Sequence, residues 1–102
     1  MTTFIKPEEI EAKIKENDFV VIAVAASWCG PCQMMTSTVW NQINEEKNDI
    51  SIYKIDADEH RDWATSNNVS GLPTMFIYRK GIKASEISGY VPREQFEENV
   101  RG

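Results

Sequence analysis

A chain of 102 residues, 41% hydrophobic and 26% charged, has the size and balance of one domain, residues 1–102, able to bury a core without staples. A net charge of −5 with no cluster of Lys or Arg excludes the basic footprint expected of a nucleic-acid binder. No run approaches the roughly 18–20 apolar residues of a membrane span. Met1 to Pro7 lacks the apolar stretch of a secretory signal, so a soluble, cytoplasmic protein with no membrane contact is expected.

In chain order, the first predicted element is a helix. Pro7 suits a first helical turn, and Glu8 and Glu9 put acids at the positive end of its dipole. Ile10 and Ile14 share one face, and Asn17-Asp18 ends it. Phe19 to Ala26 is apolar without alternation, the pattern of a strand covered on both sides. A long helix is predicted from Cys29 to about Lys47, with Met35, Val39 and Ile43 on one face. A strand over 50–57 and a short helix over 59–67 that buries Trp63 come next. Thr74 to Arg79 reads as a strand, Lys80-Gly81 as a turn, and 82–89 as the hairpin partner. A last helix starts at Pro92, with Phe96 and Val100 on one face. Alternating strands and helices closed by a hairpin predict an α/β fold: a central mixed sheet, parallel strands plus a C-terminal antiparallel hairpin, flanked by about four helices.

The two cysteines stand in Trp28-Cys29-Gly30-Pro31-Cys32, between the apolar strand and the long helix. A loop this short removes little unfolded-state entropy, so the pair is no structural clamp. In a reducing compartment such a pair is redox-active or metal-binding. Zinc wants four ligands, and the chain offers neither a second pair nor any histidine but the distant His60; no metal site is expected. Disulfide exchange needs a thiolate, and a helix N-terminus favours one through unpaired N–H groups and the dipole. Cys29, at the helix start, is therefore the expected nucleophile. Pro31 loses nothing by lacking an N–H in the first turn. Cys32, one turn on, is within disulfide reach as the more buried, resolving thiol.

Trp-Cys-Gly-Pro-Cys is a highly specific motif, and with it the chain resembles the thioredoxin family over nearly its whole length. Lowered cysteine pKa values in Cys-x-x-Cys motifs are known from thioredoxins themselves, so the chemistry and the resemblance form one argument. Gly71-Leu72-Pro73-Thr74 is similar to the family's loop before the fourth strand, Gly81 to its hairpin glycine, and Gly89 to the glycine lining its substrate groove. The resemblance implies a thioredoxin fold and a monomeric protein-disulfide reductase without cofactor. Its electron donor would be a thioredoxin reductase and its partners disulfide-containing proteins. It further implies a cis Leu72-Pro73 bond, Pro73 packed against the disulfide, and residues 71–73 presenting backbone to an extended target segment. Trp28, Gly30, Pro31 and Gly89 complete the expected docking and support set.

The sequence departs from the family at four positions. Ala23 stands where the family usually has a buried Asp behind the resolving cysteine, which removes the obvious acceptor for the Cys32 proton. The family's partner lysine is present as Lys54, a possible contributor to proton transfer. Without that carboxylate it is expected to reach solvent, Asp56 or Asp58. Ala25 replaces an aromatic residue, and Trp40 and Trp63 are expected to pack and fill the lost volume. Ser37 replaces a kinking proline, so a straighter helix is expected, and Gln33 replaces a lysine. Ala23 and Gln33 give weight to a specialised oxidoreductase with a narrow target or a different reductant. A binding module that merely uses the fold is the third reading, and the intact cysteine pair counts against it.

Overall fold

The computed structural model describes residues 1–102. It runs β1 (Thr3–Phe4), a 3-10 turn (Pro7–Glu9) into α1 (Ile10–Lys13), β2 (Phe19–Ala25), α2 (Gly30–Met35), a π-helical stretch (Thr36–Trp40) into α3 (Asn41–Glu45), β3 (Ile50–Asp56), α4 (Arg61–Ser66), β4 (Thr74–Arg79), β5 (Ile82–Ser88) and α5 (Arg93–Arg101). The sheet order is β1-β3-β2-β4-β5, parallel among β1, β3 and β2 and antiparallel from β2 through β5. This is the expected mixed sheet, with four flanking helices when α2 to α3 is counted as one interrupted helix. The sequence reading missed β1, because two exposed residues carry no alternation to detect.

β2 shows why its sequence is uniformly apolar. Val21, Ala23 and Ala25 face one core cluster, with Met35, Trp40, Ile43, Phe96 and both cysteines. Val20, Ile22 and Val24 face the other, with Ile14, Ile55 and Phe76. A strand covered on both sides has no solvent face to mark with polar residues. Trp40, fully buried, shares its cluster with Ala25 and so occupies the side of the sheet where an aromatic is missing. Trp63 does not: it is half-buried on the opposite face, edge-on to Phe76 with centroids 6.3 Å apart.

The helix after the motif, expected as one continuous run, is not regular α-helix throughout. It widens to π geometry over Thr36–Trp40. The Thr36 hydroxyl donates to the Cys32 carbonyl (2.9 Å), Ser37 to Gln33 (3.2 Å) and Thr38 to Met34 (2.7 Å). Three successive hydroxyls thus bond back onto the preceding turn, and such competition bends helices as a proline does by another route.

The β4–β5 hairpin turns through Lys80 (φ 53°) and Gly81 (φ 79°), two left-handed residues that match the twist of the strands. The C-terminal helix is fixed to the body by exposed ion pairs: Arg93 to Glu46 (2.6 Å) and Arg101 to Asp49 (2.8 Å). Hydrogen bonds from these guanidiniums hold Glu46 and Asp49 below their ordinary values of 4.5 and 3.8. A depressed folded value means stability that is present above the unfolded value and lost as pH falls through the folded one. We therefore expect thermal stability to decline as the pH falls below about 4.5, a decline that added salt flattens. Arg93→Gln should flatten the same limb in pH-dependent melting curves.

Candidate active site

Cys29 is the N-cap of α2, with extended backbone (φ −87°, ψ 112°), while Gly30 and Pro31 open the helix. Its amide donates to the Ala26 carbonyl at the end of β2 (3.2 Å), and its own carbonyl accepts from Gln33 (3.1 Å). The strand end and the first helical turn thereby lock the sulfur in place. The Cys32 amide donates to Cys29 Sγ at 3.2 Å, so the sulfur takes the acceptor position that a Ser or Asp side chain fills in ordinary caps. The two cysteines form a disulfide, with Cα atoms 5.2 Å apart. Cys32 is 2% exposed and Cys29 5%, the order expected of the pair, though as whole residues both are buried.

Trp28 is 69% exposed, and its indole N–H donates to Asp58 at 2.7 Å. Asp58 follows β3 and lies thirty positions downstream, a partner that no spacing in the sequence could reveal. Gln33 donates its side-chain amide to the Ser27 carbonyl (2.6 Å), tying the loop before the motif to the helix after it.

The loop of Gly71, Leu72 and Pro73 enters β4. The Leu72–Pro73 peptide bond is cis, Pro73 is buried, and Leu72 packs against the cluster that holds both cysteines. The Thr74 hydroxyl donates to the Gly71 carbonyl (2.6 Å), and the Gly89 amide to the Pro73 carbonyl (2.8 Å). Gly89 makes that bond with φ +84°, a backbone state that strains any other residue. The hairpin partner strand thus secures the proline loop from its far side.

Behind the motif, β-pairing sets Phe4, Lys54, Ala23 and Met75 side by side across four strands. Ala23 and Met75 belong to the cysteine-bearing cluster. Of the expected alternatives for Lys54 (solvent, Asp56 or Asp58), the structure shows neither acid as its partner. It is half-buried, and its ammonium sits over the Phe4 ring, 4.4 Å from the centroid. Asp56 instead accepts from the backbone amide of Asp58, and Asp58 holds Trp28 and Arg61. Burial pushes the Lys54 ammonium below its ordinary value of 10.5. No group of His, Cys, Asp and Glu side chains is gathered to hold a metal ion.

A dithiol–disulfide pair that caps a helix at the end of a central strand in a mixed sheet defines a thiol–disulfide oxidoreductase. The chain matches the family model described as Thioredoxin over residues 1–102. It is 32% identical over 92 residues to Thioredoxin-1 of Saccharomyces cerevisiae, covering 90% of this chain and 88% of that one. With Thioredoxin of Gallus gallus it shares 33% over 93 residues, covering 91% and 87%. The solved structure of mitochondrial Thioredoxin 3 from Saccharomyces cerevisiae, in its oxidized form, superposes with a TM-score of 0.81 at 30% identity, covering 99% of this chain and 93% of that one. The chain belongs to the thioredoxin family.

Proposed function

We propose that the protein reduces protein disulfides through Cys29 as nucleophile and Cys32 as resolving thiol. The observation that carries this reading is the hydrogen bond from the Cys32 amide to Cys29 Sγ at the helix cap, since an N–H aimed at that sulfur favours its charged form. The Cys29 thiolate attacks one sulfur of a target disulfide. A mixed disulfide forms, and the target's other sulfur leaves as a thiolate. Deprotonated Cys32 then attacks Cys29 Sγ, the mixed disulfide breaks, and the target's second sulfur leaves as a thiolate. Both product thiolates take protons from solvent, and the Cys29–Cys32 disulfide carries the two electrons' worth of oxidation. An external dithiol donor, with thioredoxin reductase as the expected one, restores the pair.

Exposed Trp28, held by Asp58, and the backbone of Gly71, Leu72 and Pro73 supply the docking surface for an extended target segment. Gly30 and Pro31 set the helix start, and Gly89 supports the proline loop. The protein acts as a monomer in the cytoplasm, without cofactor. With Ala23 fully buried and carrying no acid, the Cys32 proton goes to water or to the neutral fraction of Lys54, a fraction that burial enlarges.

Reduction of a protein disulfide by the dithiol form tests the reading, first with a chemical reductant and then with a flavoprotein thioredoxin reductase. Turnover with both supports the general reductase. Turnover with the chemical reductant alone supports a specialised one, and no turnover with either overturns the assignment. Ala23→Asp would place a carboxylate beside Lys54 in the pairing of β2 with β3. We expect it to add a titrating group to the pH–rate profile of target reduction; an unchanged profile shows that the missing acid does not matter here.

A further inference from the structure

Among the half-buried lysines and arginines of the chain, Lys54 stands apart: Lys13, Arg79 and Arg93 have side-chain hydrogen bonds or ion pairs, and Lys54 has neither. Burial costs an ammonium most of its hydration, and structures meet that cost with a counter-ion or with hydrogen bonds. Here the ring of Phe4 lies against it, and both side chains line a cavity of about 360 Å³.

The lining of that cavity contains no acid. Lys54 is its sole charged group, Phe4, Ala25 and Ala26 give it apolar walls, and Gln33 and Thr36 bring polar atoms. The volume lies within the range of small-molecule sites, about 300–1,000 Å³. Thr36 already gives its hydroxyl hydrogen to the Cys32 carbonyl. Gln33 has one amide hydrogen committed to Ser27 and a second available.

We propose that this cavity binds a short aliphatic monocarboxylate, with its carboxylate on Lys54 Nζ and its alkyl part against Phe4, Ala25 and Ala26. One cation and one free amide hydrogen match one carboxylate. A phosphate dianion would leave a second charge without a donor, and a neutral ligand would leave the ammonium unpaired. The apolar walls favour a few methylenes, each of which tightens binding severalfold when buried.

The test is a titration of the oxidised protein, followed by amide NMR shifts, with acetate, propionate, butyrate and hexanoate. The controls are propionamide, chloride and phosphate at matched ionic strength. The expected result is saturable binding that tightens several-fold from acetate to butyrate, with shifts concentrated at Phe4, Ala25, Ala26, Thr36 and Lys54. Propionamide and chloride should not reproduce those shifts. Lys54→Met should weaken butyrate at least tenfold, and Lys54→Arg should retain it. Linear, unsaturated shifts, equal response to propionamide, tighter binding of phosphate than of butyrate, or unaltered affinity in Lys54→Met would each overturn the proposal. The comparison of butyrate with propionamide on the native chain decides the matter even if a variant fails to fold.

Discussion

Cys29→Ser is expected to stop protein-disulfide reduction, lowering turnover by about three orders of magnitude or more, to the rate of the free reductant. A hydroxyl at the helix cap can still accept the Cys32 amide, so folding should survive while attack on sulfur is lost. Cys32→Ser is expected to behave differently. Cys29 remains to attack, but the mixed disulfide has no internal route to resolution, so a covalent adduct with the target should accumulate and be visible by mass. Equal loss without an adduct in the second variant would refute the assignment of roles. The distinction rests on geometry: only Cys29 sits at the cap with an amide aimed at its sulfur, while Cys32 lies within the first turn of α2.

Trp40→Ala is expected to be the most destabilising single truncation. Trp40 is fully buried in the cluster that also holds Ala23, Ala25, Cys29 and Cys32. Removing a buried Trp costs about 3–5 kcal/mol, a large part of the roughly 5–15 kcal/mol of stability usual for a domain. At this chain length each kcal/mol moves Tm by about 4–8 °C, so the midpoint should fall by roughly 12 °C or more. Trp40→Phe should cost less than half as much. Its ring keeps most of the apolar contact, and the substitution removes an indole N–H that has no hydrogen-bond partner, which offsets part of the lost packing. Thermal unfolding of the oxidised proteins checks both. If Phe costs as much as Ala, the indole nitrogen is not the liability its burial suggests.

Most of the frame was legible in the sequence because it is written in local periodicity. The strand before the motif, the hairpin at Lys80-Gly81 and the last helix each follow from spacing, turn chemistry and a start signal that act over a few residues. β1 was not legible, because its two residues pair with Tyr53 and Lys54 and carry no pattern of their own. The π-helical stretch after the motif was not legible either, because it goes with hydroxyl back-bonds from Thr36, Ser37 and Thr38 that no local pattern announces.

The candidate site divides along the same line. The chemistry is short-range information: Trp28-Cys29-Gly30-Pro31-Cys32 after an apolar strand carries the dithiol, the helix cap and the order of the two cysteines. Tertiary structure alone decided the surroundings. It joined Asp58 to the Trp28 indole across thirty residues, brought Gly89 to the Pro73 carbonyl, and set the Lys54 ammonium over the Phe4 ring. Those partners are set by the order and register of five strands. That order is a property of the whole folded sheet, and no single segment encodes it.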